Sequence, residues 1–115
     1  MKSYKEIAVD FASAMVHGEF TEAHRLLAPK LREELSPARL QDEYYGMFCG
    51  YTDGEPYEVG YRAQSFVDEW PAKEPGDVGW AYISVLGEDF VEAVTVVVAD
   101  VDGMLLIRDI EWGRP

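Results

Sequence analysis

Cysteine is almost absent from this chain of 115 residues: only Cys49 is present, so no disulfide can form within the chain. The fold must therefore rest on its apolar core, for which 48% of the residues are hydrophobic. A chain of this length normally forms one domain around one core. A lone thiol is also typical of a reducing compartment. We expect a single domain over residues 1–115, located in the cytoplasm.

Positive charge is scarce, since 10 Lys and Arg stand against 22 Asp and Glu, for a net charge of -12. Such a surface repels phosphate backbones and anionic lipids. We therefore expect no binding to nucleic acid or to membrane surfaces. The same charge would suit a basic protein partner or a cationic small molecule, although an acidic surface often serves solubility alone.

Long apolar runs are also missing, and none approaches the about 18 residues of a membrane span. The first apolar stretch, residues 7–16, is interrupted by Asp10 and Ser13 and is followed by no cleavage-like segment. It is better interpreted as one face of a helix than as a secretory signal.

Apolar residues in the first half recur with helical spacing. Ser3 and Glu6 form a capping box at the start of the first stripe, which ends at Gly18. A second short stripe ends at Pro29, and Ser36 followed by a proline begins a third. The pattern predicts helices over residues 3–18, 20–29 and 36–50.

From Tyr57 onward the period changes to two, which is typical of strands with one wet face. Two prolines and a glycine make residues 70–77 a loop. Asp102-Gly103 predicts a tight type I′ hairpin turn. The resulting strands cover residues 57–67, 78–86, 90–101 and 104–112.

Two of these strands, at residues 93–99 and 104–107, are apolar on both alternating faces. A sheet that is apolar on both sides must be covered on both sides. The helices can cover one face, and the chain has nothing left for the other. We therefore expect a symmetric homodimer that packs sheet against sheet.

Two short motifs carry a family resemblance: Gly18-Glu19-Phe20-Thr21-Glu22-Ala23 fits a "G-(D/E)-(F/Y)-x-x-A" turn, and Leu35-Ser36 introduces the next helix. With three helices followed by an antiparallel sheet, the chain resembles small uncharacterised members of the NTF2-like (cystatin-like) superfamily. The resemblance implies an α+β fold with three N-terminal helices packed on a curved, mainly antiparallel four-stranded sheet. It further implies a cone whose open end holds a ligand, and frequent dimers through the sheet.

In such a cone, the aromatic residues of the third helix and second strand would hold a small apolar ligand. The alternative is that aromatic residues at this spacing are simply core. The candidate ligand-binding residues are Tyr44, Tyr45, Phe48, Trp80 and Tyr82.

Asp109 is the candidate general base, because a carboxylate buried in an apolar cone would have a pKa nearer the working pH. Strand alternation predicts Arg108 on the opposite face. Tyr45 or Tyr82 would polarise a substrate carbonyl. The alternative is that Asp109 is solvated or forms a structural ion pair. Superfamily enzymes that shift a proton in steroid-like substrates pair a strand aspartate with a tyrosine and a protonated acid, and not all of these roles can be placed in this sequence.

Metal and cofactor chemistry have no supporting motif. His17 and His24 are separated by a helix break, so they do not share the face that a helical zinc pair uses. Cys49 has no histidine or base beside it, which suits a buried thiol better than a nucleophile. We expect no metal and no cofactor.

Three functions remain open, because one fold can host many activities. The first is a non-catalytic dimeric module, with or without an apolar ligand in the cone. The second is a small-molecule isomerase, dehydratase or cyclase that uses Asp109. The third is an acidic inhibitor or immunity-type protein that covers the cationic site of a basic partner.

Overall fold

The computed structural model describes residues 2–48 and 54–113. Within these ranges the fold is α+β: four helices are followed by an open, antiparallel five-stranded sheet. The helices are α1 (Tyr4–Val16), α2 (Phe20–Arg25), α3 (Pro29–Glu34) and α4 (Pro37–Gly46). None of them has the length and apolar character needed to cross a membrane.

The predicted helix starts are confirmed by their caps. The Glu6 backbone N–H donates to the Ser3 hydroxyl at 3.3 Å, and the Arg39 N–H donates to the Ser36 hydroxyl at 3.1 Å. The region around Pro29 differs from the prediction, because α2 has already ended and this proline begins α3. Proline fits the first helical position, where its missing N–H costs no bond. The third predicted helix is shorter than expected, because α4 ends at Gly46 and not near Cys49 and Gly50, which lie outside the described residues.

The strands are β1 (Glu58–Gly60), β2 (Phe66–Val67), β3 (Asp77–Leu86), β4 (Val91–Val101) and β5 (Met104–Trp112). Their order is β1-β3-β4-β5, and β2 pairs with the same edge of β3 as β1. The predicted hairpin turn is confirmed by positive φ angles of 53° at Asp102 and 87° at Gly103.

The strand predicted over residues 57–67 is not continuous. A 3-10 turn at Ala63–Ser65 separates β1 from β2, and the Arg62 N–H donates to the Ser65 hydroxyl at 2.9 Å. This turn is why the sheet has five strands where the sequence predicted four.

The helices cover one face of the sheet, called here the helix face. Its side chains from β3 and β4 are fully or almost fully buried against α1 and its neighbours. The chain between α2 and α3 also runs beside β5, where Ala28 N–H donates to the Ile107 carbonyl at 2.7 Å and Ile107 N–H donates to Leu26 at 2.8 Å. These bonds occupy an edge that would otherwise be free to pair with another chain.

The opposite side of the sheet is called here the outer face. Alternation along β3 and β4 places apolar and small side chains there as well, and the loop between β2 and β3 lies over part of it. The outer residues of the two strands are Trp80, Tyr82, Ser84, Ala93, Thr95, Val97 and Ala99.

A β-bulge in β5 changes which residues share a face. Val98 pairs with Ile107 and Val97 pairs with Asp109, so Arg108 is an extra residue between two paired positions. As a result Arg108 and Asp109 line the same outer cavity. The prediction that alternation separates them was wrong, because alternation fails at a bulge.

Candidate functional site

On the helix face, aromatic rings pack against one another at the end of α4. Tyr44 contacts Tyr45, Phe48 and Phe20, with ring centroids 5.2, 5.4 and 5.8 Å apart. Tyr44 is 1% exposed and Phe48 is 3% exposed. Rings at these separations and angles stabilise a packed core. Tyr44, Tyr45 and Phe48 therefore lie together, in contact with one another.

The Tyr44 hydroxyl is buried, and it has no hydrogen-bond partner among the described residues. Its pKa lies above the ordinary value, first because burial disfavours the phenolate and then because of the nearby Tyr45 and Glu55. Burial also raises the pKa of Tyr45, with the charge of Glu55 adding to the effect. Both phenols thus remain protonated at neutral pH.

Replacing Tyr44 by phenylalanine is expected to raise the free energy of unfolding by about 1 kcal/mol, because it removes a buried hydroxyl that makes no bond. Chemical denaturation measures the change. The matched control is Tyr45→Phe, which removes the same group from a partly exposed ring and should change stability less. A loss of stability in Tyr44→Phe would show that the hydroxyl is bonded after all.

The other two aromatic candidates lie elsewhere. Trp80 and Tyr82 stack on each other on the outer face, with centroids 6.4 Å apart and planes 19° from parallel. The sequence analysis grouped them with Tyr44, Tyr45 and Phe48 in one cone. The structure corrects this grouping, since among the described residues the sheet separates the two sets.

A cavity of about 170 Å³, called here the outer pocket, lies beside Trp80 under the loop that precedes β3. Trp70 and Trp80 are among the residues that line it. Thr95 and Val97 contribute to the lining, and both are only 7% exposed. The charged lining residues are Glu74, Arg108, Asp109 and Glu111.

Among the described residues of this lining, the one cation, Arg108, is already engaged. Its Nε and Nη2 donate to the two carboxylate oxygens of Asp77, both at 2.6 Å, and Nη2 lies 3.5 Å from Glu74. The Asp77 side chain is 1% exposed, and the Glu74 N–H also donates to it at 2.8 Å. The bond from Arg108 holds the pKa of Asp77 below its ordinary value, against the effect of burial.

Because Asp77 neutralises Arg108, the carboxylates dominate the charge of the outer pocket. Asp109 and Glu111 are both exposed at its rim. Asp109 Oδ1 accepts the N–H of Ile110 at 3.0 Å. The pocket therefore favours a cationic group, and Trp80 would add cation–π attraction, whereas the Trp70 ring already has the Lys73 ammonium 5.7 Å from its centroid.

The proposed catalytic residues are not assembled into one site. Asp109 is exposed on the outer face, whereas Tyr45 lies in the aromatic cluster on the helix face. Tyr82 shares the outer face with Asp109, but the two residues lie in different rows across the sheet. Tyr82 is in the row of Thr95 and Glu111, and not in the row of Asp109. An exposed aspartate in this position is not enclosed by the apolar cone that the catalytic hypothesis requires.

Within the described ranges, no three His, Cys, Asp or Glu side chains are arranged to hold a metal ion. His24 Nε2 lies 3.3 Å from the Arg32 carbonyl. Cys49 lies outside the described residues. The sequence analysis missed Trp70 and Glu74, whose loop has no periodicity from which a face can be predicted.

Comparisons of the chain with models of protein families, with curated proteins and with solved structures found no match.

Proposed function

We propose that this protein is a non-catalytic, homodimeric module of the NTF2-like type, which associates through the outer face of its sheet. The observation that carries the proposal is the stacked Trp80–Tyr82 pair on the face opposite the helices. Its neighbours across β4 are apolar or small and almost fully buried, so the pair is the main aromatic group that the middle of this face presents. Large aromatic side chains at the centre of a patch are typical of interfaces.

The size of the outer face suits a second copy of the chain. Four strand positions at about 4.8 Å and strands of up to about ten residues at 3.3 Å give roughly 600 Å² of sheet. The loop that carries Trp70 adds to this area. A standard interface buries about 800 Å² on each partner. Two sheets of this kind pack face to face with their side chains interdigitated.

The helix-face interior supports a structural role for the first aromatic set. Tyr44 and Phe48 are almost fully buried by one another and by residues such as Leu40, which is 0% exposed. Rings that fill a core in this way stabilise the helix layer on the sheet. The ligand-binding cone remains a less favoured version of the same module.

Light scattering coupled to size exclusion tests the dimer. At tens of micromolar the expected mass is about 26 kDa, twice the 13.0 kDa of one chain. The variant Tyr82→Glu should be monomeric, because it places a charge at the centre of the buried face. A wild-type mass of 13.0 kDa at the same concentration would refute the proposal.

The matched control is Tyr57→Glu, which makes the same substitution at a tyrosine that is 62% exposed. Tyr57 is two residues from Val59, whose side chain packs against the core on the helix face. By alternation Tyr57 is on the side of the helix face and not on the outer face. This variant should remain dimeric. If both glutamate variants dissociated, the effect would reflect net charge rather than the outer face.

A second candidate function is favoured by the charge of the outer pocket. Its carboxylates and the net charge of -12 would suit a basic protein that the chain inhibits. Salt separates the two candidates. Salt screens the attraction between an acidic chain and a basic partner, so that complex should weaken steeply between about 0.05 and 0.5 M NaCl, whereas a homodimer that buries apolar surface should change less.

A further inference from the structure

We infer that in this dimer the outer pocket of each subunit receives Arg62 of the partner subunit. The inference rests on the proposed function and specifies how the two sheets are aligned. It names the group that the acidic rim of the pocket binds and the direction of the twofold axis.

The first step is a row of residues that crosses the outer face. Tyr82 pairs with Thr95, and Thr95 pairs with Glu111 at the β5 margin. At the other margin, Arg62 lies between the pairs that join β1 and β2 to β3, and it borders a shallow depression with Trp80 and Tyr82. The row therefore begins with a guanidinium and ends with a carboxylate.

The second step is that both ends of this row are available. Arg62 is exposed and, among the described residues, has no ion-pair partner, and the same is true of Glu111. Arg108 differs, because Asp77 holds it. Opposite charges thus lie at opposite margins of one face, about three strand spacings or roughly 14 Å apart.

The third step is symmetry, since a twofold interface joins the same patch on both subunits. An axis parallel to the strands places the strands of the partner in reverse order across the face, and it keeps each row at the same height along the strands. It lays Arg62 of the partner subunit over Glu111 and the partner's Tyr82 over Thr95. An axis across the strands would instead lay β5 on β5, and the carboxylates of both pockets would repel each other.

The fourth step is the chemistry of the pocket. A guanidinium is planar, donates through five N–H groups and stacks on aromatic rings. The outer pocket is lined by Trp80, by Thr95 and by the rim carboxylates, together with Trp70, over whose ring the Lys73 ammonium already lies. Sheets that pack face to face lie about 10 Å apart, so side chains of one face reach those of the other.

The test is a charge exchange followed by sedimentation equilibrium. Arg62→Glu and Glu111→Arg should each weaken the dimer at least tenfold, because each sets like charges against each other at both ends of the row. The double variant should bind within about threefold of wild type, since it restores opposite charges. Circular dichroism confirms that each variant is folded.

The matched control exchanges the charges of an exposed pair in the helix layer. Glu22 and Arg25 lie 3.4 Å apart on α2, which contacts α1 and α4. Glu22→Arg, Arg25→Glu and their double variant should leave the dimer constant within threefold.

The outcomes distinguish this inference from the proposed function. If wild type is a dimer and either outer-face single variant binds normally, or the double variant is not rescued, the arginine pairing is wrong and the dimer stands. If wild type is monomeric at tens of micromolar, the proposed function fails and the pairing fails with it. Rescue by the double variant supports both.

Discussion

Replacing Asp77 by asparagine is expected to lower the free energy of unfolding by about 3 kcal/mol, the lower end for breaking a buried ion pair. The asparagine oxygen can still accept the Glu74 N–H, but the variant leaves the Arg108 guanidinium without its anion. Because the Arg108 side chain is 27% exposed, water recovers part of the loss. Asp77→Ala should cost more, since the Glu74 N–H then loses its acceptor as well.

Urea denaturation of wild type and variant measures this difference. The matched control is Asp10→Asn, which breaks the 2.6 Å pair between Lys2 and Asp10 on the surface. Those side chains are 61% and 40% exposed, so Asp10→Asn should change stability far less than Asp77→Asn does. If the two variants were equally stable, the contact between Asp77 in β3 and Arg108 in β5 would not stabilise the fold as predicted.

The same pair predicts how stability depends on pH. The pKa of Asp77 in the folded state lies below its ordinary value of 3.8, mainly because of Arg108. The contribution of the pair is therefore complete above pH 3.8 and is lost as the pH falls through the folded-state pKa. The gap between wild type and Asp77→Asn should be constant from about pH 7 to 5 and close in stronger acid.

The order of helices and strands was predictable because its signals are local. Ser3, Ser36 and the Asp102-Gly103 turn act on residues within one turn of themselves, and each behaves in the structure as the sequence predicts. Pro29 was read as a helix end although the same residue suits a helix start. The chain around it decides between the two, because α2 ends four residues earlier.

The bulge at Arg108 could not be read from alternation. Its partner Asp77 is 31 residues away, and the carboxylate attracts the guanidinium to the outer face whatever the local pattern. This contact changes the neighbours of Asp109 as well, since both residues then line one pocket. A site built from two strands and a loop that are distant in the sequence depends on such long-range contacts.

The position of Trp80 and Tyr82 shows a second limit. A period of two fixes which residues share a face, but it does not say which face the helices cover. In this chain both faces of β4 are apolar, so hydrophobicity does not show which of the two faces the helices cover. The helix layer selects the face that carries Ala81 and Ile83, where small and branched side chains allow close approach.

Gly79→Ala is expected to lower the free energy of unfolding by about 2 to 3 kcal/mol, because the helix layer approaches the sheet closely at this position. A Cβ at Gly79 would overlap the ring of Tyr4 in α1. That ring is 9% exposed and is held by its hydroxyl, which donates to Asp68 at 3.0 Å, and by Phe66. Burial and this bond raise the pKa of Tyr4 to about 12.

Denaturation of three variants separates the ring from other causes. Gly46→Ala, where a Cβ meets nothing within 4 Å at the end of α4, should leave stability unchanged or raise it by up to about 1 kcal/mol. In a Tyr4→Ala background, Gly79→Ala should cost little, because the overlapping ring is gone. If the cost persists there, glycine is required instead by the irregular pairing of β3 with β4 between Asp77 and Gly79. The contact between Gly79 and α1 would then not be the reason for a glycine at this position.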